Sequence, residues 1–510
     1  MVISSLSDLK DLELKIEIGF RKLKLGDVLY SLRLLKETSP DLQPFVVAGV
    51  ALFAARFCDP SKVHQKIKNH DIRSLVSLSK QYYLTDPIVF DKDLENEFMN
   101  SNPAFMMLRL RSSQFPFDPD TFSSFSRPAF LFHEIPRQLQ SLPGIPQFDL
   151  ESNFQAVTGV SVIDFITTGF VIASACRGQF AVNQNYFRKL REQGIELPND
   201  QNVRLIINQI AVDKIKLIEI YESRKVKDER FKMYSFNPLL SHPLIKPCQN
   251  KQFSKPNEDF IHAPLPELVD LRISTGIFYQ MFNSYKTRFS QYFGHVFESY
   301  VGIVLKNCIT SEELLSESDI REFYPISDGR QVPDWILIDG STLILFECKA
   351  TRFSRAAQET ASEDAVNDSL KQVVKGLHQL DNFISACRSN VSELKRFHDC
   401  TTFKSVLVSL ESLSPINNPL FREHIDTLLA VKDITGLDWQ MRSVSELEVL
   451  QPHTATGLRL SQVLDELLQK NFDEVLRDLA SQTKKTFVHS FLYQKHEELY
   501  QRLKLADKVS

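Results

Sequence analysis

Apolar residues recur every three to four positions through the first 235 residues, which is the spacing of one buried helix face. The clearest runs are Val28, Leu29, Leu32 and Leu35 and, later, Ile206, Ile207, Ile210, Ile215 and Ile218. Residues 1–235 are therefore predicted to form a mostly α-helical N-terminal region. Seven prolines between Pro103 and Pro146 interrupt the pattern. They mark residues 103–146 as a candidate division between two subdomains.

Prolines become frequent again just before the pattern changes. Six of them fall between Pro238 and Pro266, with leucine and isoleucine residues between them. This mixture predicts an ordered strap at residues 236–266 that packs on a domain, rather than a flexible linker.

Beyond the strap, helical and strand patterns alternate, which predicts an α/β domain at residues 267–455. The predicted helices are Gly276–Asn307 and Asn367–Arg388. The predicted strands are Arg321–Ile326, Val332–Ile338, Thr342–Lys349, Phe403–Leu410 and Trp439–Val444. The dipeptide Asp339-Gly340 between two of these strands predicts a tight hairpin turn. Residues 456–510 are predicted to form a helical tail.

Composition narrows the function classes. The 510 residues include 60 basic and 64 acidic side chains, for a net charge of −4, which disfavours a polybasic nucleic-acid binder. Only 16 glycines are present, and no dinucleotide-binding, P-loop, serine-hydrolase or zincin motif occurs. The seven scattered cysteines are typical of a reducing compartment and predict a cytoplasmic protein. The most apolar stretch, Val157–Cys176, contains Asp164 and is predicted to be a buried helix, with no membrane partner.

Asp334, Glu347 and Lys349 are predicted to share one face of the hairpin. With a two-residue turn at Asp339-Gly340, Asp334 lies opposite Leu345, and side chains alternate along each strand. The apolar run between these polar residues predicts strands that are covered on both faces. Two carboxylates there are costly unless they are paired or bind a cation. Oxygen ligands favour Mg²⁺, with Mn²⁺ as the alternative.

These residues carry a family resemblance. Pro333-Asp334, a hairpin and then Glu347-Cys348-Lys349, preceded by a helix with Glu298, resembles the PD-(D/E)xK nuclease superfamily over roughly residues 270–445. The resemblance implies a restriction endonuclease-like mixed β-sheet flanked by helices. It implies that Asp334, Glu347 and the main-chain carbonyl of Cys348 bind the metal, and that Lys349 is the catalytic lysine. It makes Glu298 the acid of the first helix, which binds or supports a metal.

Three further residues are candidates for substrate binding. On the helix after the hairpin, Gln372 is the better match to the glutamine of the superfamily, and Gln379 is a competitor. Arg352 and Arg355 are candidate phosphate contacts, although this run also fits a solvated loop.

Gly294, Glu298 and Gly302 are spaced by four and predict a close approach of the first helix to the sheet.

The sequence therefore predicts a metal-dependent nuclease with DNA as the favoured substrate. By fold-level analogy it resembles bacterial restriction or antiphage defence effectors. The N-terminal helical region is predicted to recognise substrate, a signal, a protein partner or a second copy of the chain. Two alternatives stay open: an RNA-cleaving effector with the same metal chemistry, and a catalytically silent nucleic-acid-binding or assembly subunit.

Overall fold

A computed structural model describes most of the chain. It covers residues 3–100, 108–109, 121–140, 142–247, 260–309, 313–325, 330–350, 353–389, 391–483 and 490–503, with the backbone alone at 97–100, 121–124, 355–356, 414–415 and 483. The residue Arg352, a candidate phosphate contact, lies outside these ranges, as does the side chain of Arg355.

The N-terminal region is helical, as its periodicity predicts. Its helices are Leu6–Arg21, Leu25–Thr38, Pro44–Phe57, Asn69–Leu84, Lys92–Asn100, Thr121–Ala129, the π-helical Phe130–Glu134, Ile135–Leu139, Leu150–Thr158, Val162–Gly178, Gln184–Glu192, Asp200–Ile210 and Lys214–Arg224. Several begin at a capping side chain: Ser5, Asp149 and Asn199 each accept a hydrogen bond from a main-chain N–H of the first turn. Such caps satisfy donors that the helix itself leaves unpaired.

The described parts of the proline-rich strap are packed into the molecule. Strand β1 (Ala211–Val212) pairs in parallel with β2 (Leu244–Ile245), which lies in the strap. Leu239 and Leu265 are fully buried.

Within the described part of the chain, no single helix combines the length and apolar character needed to cross a membrane. The two helices Leu150–Thr158 and Val162–Gly178, which are bent relative to each other, reach the required length and apolar composition only when they are taken together. Most of the second helix of this pair is buried inside the protein.

The second half of the chain is α/β. Its strands are β3 (Glu313–Ser316), β4 (Trp335–Asp339), β5 (Thr342–Lys349), β6 (Thr402–Ser409) and β7 (Trp439–Ser443). Its helices are Glu267–Ile273, Thr275–Cys308, Glu317–Phe323, Arg355–Thr360, Glu363–Arg388, Pro419–Ala430, Val444–Thr454, Leu460–Gln469, Phe472–Thr483 and Phe491–Arg502. The Thr275–Cys308 helix is broken at Lys286, whose φ is 49°.

One predicted strand was wrong. Residues 321–323, expected to begin a strand, are helical, and the edge strand lies earlier, at Glu313–Ser316. The reason is a capping box: the Ser316 hydroxyl accepts from the Asp319 N–H, and the Asp319 carboxylate accepts from the Ser316 N–H. This pair of hydrogen bonds ends the strand and starts the helix at Glu317.

The five strands β3 to β7 form one mixed sheet in the order β3-β4-β5-β6-β7. The pairs β3–β4 and β4–β5 are antiparallel, whereas the pairs β5–β6 and β6–β7 are parallel. The end of β3, the start of β4 and the ends of β5 and β6 therefore meet at one edge of the sheet.

The hairpin has a two-residue turn, but it is Gly340-Ser341 rather than Asp339-Gly340. Asp339 stays in the strand and pairs with Thr342, because its buried carboxylate accepts a hydrogen bond from the Ser461 N–H at 2.9 Å. Gly340, with φ of 66°, takes the first turn position, where hairpins favour glycine.

This shift changes the expected partner of Asp334. Trp335 pairs with Phe346, so the same register places Asp334 beside Glu347 and not beside Leu345. A shift of two residues preserves side-chain alternation, but Asp334 lies just before β4, so its common face with Glu347 and Lys349 stays a prediction.

Each sheet face is covered by a helix. Trp335, Leu337, Ile344 and Phe346 pack in the cluster of the Thr275–Cys308 helix. Ile336, Leu343 and Leu345 face the other way and pack with Leu380, Phe383 and Ile384 of the Glu363–Arg388 helix. The sheet is thus buried on both faces, as its continuous apolar strands predict.

Candidate active site

Four acidic side chains converge at the sheet edge where β4 begins and β5 ends. Asp334 precedes β4, and Glu347 lies near the end of β5. Glu317 follows β3, and its main-chain N–H donates to the Asp334 carbonyl at 2.8 Å. Glu298 comes from the Thr275–Cys308 helix, whose Glu298 carbonyl accepts from Trp335 Nε1 at 3.0 Å.

Three of these acids form one cluster. Single carboxylate oxygens of Glu298, Glu317 and Asp334 all lie within 4.8 Å of one another. Each side chain is half-buried. Glu317 also accepts a hydrogen bond from Arg321 Nε at 2.6 Å, one turn further along its own helix.

The helix that carries Glu298 approaches the sheet at a glycine. A Cβ atom on Gly302 would overlap the Trp335 ring, whereas a Cβ on Gly294 would meet nothing within 4 Å. Only one of the two predicted small residues therefore brings the helix close to the strand that follows Asp334.

Asp334 is fixed by the neighbouring strand. Its Oδ2 accepts a hydrogen bond from the Cys348 N–H at 2.6 Å. The N–H and C=O of one strand residue point to the same side, so the Cys348 carbonyl is directed toward Asp334 as well. The role of the Cys348 carbonyl as a ligand stays a prediction.

Glu347 and Lys349 form a direct ion pair on the face of the Glu363–Arg388 helix. Lys349 Nζ lies 2.5 Å from Glu347 Oε1 and 3.4 Å from Gln379 Oε1. The Glu347 side chain is only 2% exposed, against 22% for Lys349. The helix reaches this pair through Gly376, where an added Cβ would meet Leu407 at 2.7 Å and both Glu347 and Lys349 at 3.4 Å.

Burial and mutual repulsion shift the pKa values of the acids. Burial, then the carboxylates of Glu347 and Glu298, raise the pKa of Asp334 well above its usual value. Burial also raises the pKa of Glu347, against the opposing effect of the Lys349 ammonium. Burial alone would lower the pKa of Lys349, but the Glu347 carboxylate outweighs this and raises it.

The residues present fit a hard divalent cation. All the donors are oxygens, which Mg²⁺ and Mn²⁺ prefer. Glu347 Oε2 is buried and has no hydrogen-bond partner among the described residues. An unpaired buried carboxylate oxygen beside a cluster of acids is costly, and a cation at this edge removes that cost.

The two candidate glutamines differ in their contacts. Gln372 is exposed on the Glu363–Arg388 helix, and Gln379, two turns further on, is the glutamine that contacts Lys349. Both lie along the side of the helix that carries Gly376. The binding role of Gln372 stays a prediction, as do those of Arg352 and Arg355.

Two residues were not predicted from the sequence: Glu317 of this cluster, and His295, which lies beside Glu298. Glu317 was missed because the edge strand was expected too late in the chain, although the Ser316-x-x-Asp319 capping signature was readable. His295 Nδ1 lies 3.8 Å from Glu298 Oε2, and a hydrogen bond to Glu298 raises the pKa of His295. One helical turn separates them.

Comparisons of this chain with protein-family models, with curated proteins and with solved structures found no match. The chemistry of the site therefore rests on its own geometry: four carboxylates, one lysine and one glutamine at the edge of a mixed sheet.

Proposed function

We propose that this protein is a metal-dependent nuclease that hydrolyses phosphodiester bonds, with DNA as the favoured substrate. The observation that supports this most strongly is the convergence at one sheet edge of Asp334, which is hydrogen-bonded to the Cys348 N–H, with Glu298 and Glu317, next to the Glu347–Lys349 ion pair. The sequence motif alone does not require this arrangement, since a different turn length would separate the side chains.

Asp334, Glu347, Glu298, Glu317 and the Cys348 carbonyl are the groups that would hold Mg²⁺ or Mn²⁺. When bound, such a cation polarises a phosphoryl oxygen and lowers the pKa of a coordinated water. The carboxylates also keep the substrate phosphate away from the edge until a cation neutralises them, which makes substrate binding dependent on the metal.

Lys349 supplies a positive charge beside Glu347. Glu347 Oε1 and Gln379 Oε1 hold its ammonium group from two sides. A positioned ammonium stabilises negative charge that develops on a phosphate and orients an attacking water. Because Gln379 comes from the Glu363–Arg388 helix, the position of that helix contributes to the position of the lysine.

A catalytically silent subunit is the rival from another class. In that case the Glu347 and Lys349 pair is only a structural ion pair beneath a helix, and the other acids are surface groups. The rival and the proposal differ in one measurable property, which is turnover.

The test is cleavage by the purified full-length chain. Supercoiled DNA, single-stranded DNA and RNA are incubated with Mg²⁺, Mn²⁺ or EDTA. We expect cleavage of DNA with either cation and none with EDTA. Asp334→Asn and Lys349→Met should each lower the rate at least about 100-fold. RNA cleavage in place of DNA cleavage would assign the other polymer to the same site.

The matched control is Lys371→Met, because Lys371 lies on the same helix as Gln379 with a side chain that is 74% exposed. This variant should cleave at the rate of the wild type. Absence of cleavage of every polymer, or equal rates for the wild type and the Asp334→Asn variant, would overturn the proposal and favour the silent subunit.

A further inference from the structure

A buried ion pair of the N-terminal region reaches the domain that carries the candidate site. Arg109 Nε and Nη2 donate to the two oxygens of Asp86 at 3.3 and 3.1 Å. Arg109 Nη1 donates to the main-chain carbonyl of Thr360 at 2.9 Å. Thr360 ends the short Arg355–Thr360 helix that follows β5.

The Asp86 side of this contact is fully paired. Its carboxylate also accepts from the Tyr234 hydroxyl at 2.6 Å and from the Ile88 N–H at 3.0 Å. Asp86 is 5% exposed and Arg109 is 8% exposed. The guanidinium lies over the Phe231 ring, with 5.2 Å between its central carbon and the ring centroid.

A buried ion pair of this kind is weak evidence for stability, because removing two charges from water offsets much of their attraction. Its best attested role is to fix how two parts of a structure fit together. Here it joins Asp86, Arg109 and the 3₁₀ helix Glu229–Tyr234 to a carbonyl of the α/β domain. Leu108, the neighbour of Arg109, is 2% exposed and packs in the cluster of Phe353 and Ala357.

Thr360 lies just before the helix that contacts the catalytic pair. Ala361 follows it in the left-handed region, with φ of 50°, and the Glu363–Arg388 helix begins two residues later. That helix approaches Glu347 and Lys349 through Gly376 and binds Lys349 through Gln379. Fixing the Thr360 carbonyl therefore fixes the start of the helix that positions Lys349.

We infer that Arg109 is a positioning residue for Lys349, and that the Asp86–Arg109–Thr360 contact couples the N-terminal region to the active site. The inference rests on the proposed nuclease function. Arg109 acts through the backbone at Thr360 and through the Glu363–Arg388 helix, without touching substrate. The N-terminal region is in this way part of the catalytic unit and not only an appended recognition module.

The test combines hydrogen exchange with cleavage kinetics on the full-length chain. In Arg109→Ala, amides of residues 357–370 should exchange about tenfold faster, because a charged hydrogen bond to this segment is lost. The kcat for DNA cleavage should fall about tenfold, because Lys349 is less well positioned, with KM little changed.

If Arg109→Ala does not fold, two further variants test the same contact. The double variant Asp86→Asn with Arg109→Gln removes the long guanidinium without leaving a buried charge unpaired, and should reproduce both effects. Tyr234→Phe loses one donor to Asp86 but keeps the bond from Arg109 to Thr360, and should show neither effect.

Arg56→Ala is the matched control for general destabilisation. Arg56 is also a largely buried arginine, 3.4 Å from Glu13, and it lies over the Phe57 ring in the N-terminal region. Its loss should lower the melting temperature while leaving exchange at residues 357–370 and kcat at wild-type values.

Unchanged exchange or unchanged kcat in the Arg109 variants, or equal effects in Arg56→Ala, would overturn the inference while leaving the nuclease proposal intact. A wild-type chain that cleaves nothing would overturn both.

Discussion

At the residue scale, the site is defined by carboxylates that repel one another. The Glu347 carboxylate acts electrostatically on Asp334, and Glu298 and Glu317 lie close to Asp334. Burial and these neighbours raise the pKa values of Asp334 and Glu347. In the absence of a cation, the folded protein therefore binds protons at these two acids more tightly than the unfolded chain does.

The raised pKa values of Asp334 and Glu347 make the stability of the fold depend on pH. A folded-state pKa raised above the unfolded value stabilises the fold at low pH, and that stabilisation is lost as the pH rises through the folded pKa. A divalent cation replaces the protons, so its stabilising effect grows over the same range.

We therefore expect Mn²⁺ to raise the melting temperature more at about pH 8 than at about pH 5. At a concentration 100 times Kd, the stabilisation at the higher pH is about 2.7 kcal/mol. Thermal melts with and without Mn²⁺ measure this directly. Asp334→Asn should lose most of the effect, and a larger effect at the lower pH would argue against cation binding by these acids.

At the element scale, alternation along β4 and β5 made the site predictable. The turn was expected one residue too early, but the resulting shift in register was an even number of residues and so preserves the alternation of side chains. Glu347 and Lys349 form an ion pair at the end of β5, and Asp334, just before β4, is hydrogen-bonded to the Cys348 N–H between them. The glutamine was harder to assign. Gln372 and Gln379 are seven residues apart and lie on similar sides of the helix, so sequence alone does not say which is level with Lys349.

The contact at Gly376 sets how closely the Glu363–Arg388 helix approaches the sheet, so a substitution at Gly376 tests that approach. In Gly376→Ala, the added Cβ meets buried Leu407 at 2.7 Å, close to Glu347 and Lys349. We expect the free energy of unfolding to fall by about 1–2 kcal/mol, since the strain exceeds the gain in helix propensity. The cleavage rate should fall as well, because the helix moves away from the lysine.

The control is Gly294→Ala on the Thr275–Cys308 helix, where an added Cβ meets nothing within 4 Å. There the gain in helix propensity acts alone, and the free energy of unfolding should rise by up to about 1 kcal/mol. Urea denaturation and cleavage assays measure both variants. A Gly376→Ala chain as stable and active as the wild type would show that this helix does not need its close approach.

At the scale of the whole molecule, the hydrophobic clusters do not follow the boundaries expected from the sequence. One cluster runs from Phe125 in the N-terminal region through the Thr275–Cys308 helix and the sheet to Leu503 in the tail. A second joins Ile3 to Leu268. Composition shifts and prolines mark changes of local structure, but they do not report which distant apolar faces pack together.

The C-terminal tail is therefore predicted to be part of the α/β core. Leu460, Val463 and Leu464 are buried in the larger cluster, and the Ser461 N–H pairs with the buried carboxylate of Asp339. A chain that ends at residue 455 should lose cooperative melting and bind a hydrophobic dye, because these apolar faces become exposed. A chain that ends at residue 503 is the control and should melt like the full chain. Cooperative melting of both would show that the tail is dispensable.

The central claim, that these acids bind a catalytic cation, has one most direct test. Crystals soaked with Mn²⁺ are measured for anomalous scattering. We expect a peak at the edge of the sheet, bonded to Asp334 and to further carboxylates among Glu298, Glu317 and Glu347, and absent from the Asp334→Asn variant. A wild-type crystal with no peak at this edge, or a peak that persists in Asp334→Asn, would contradict it.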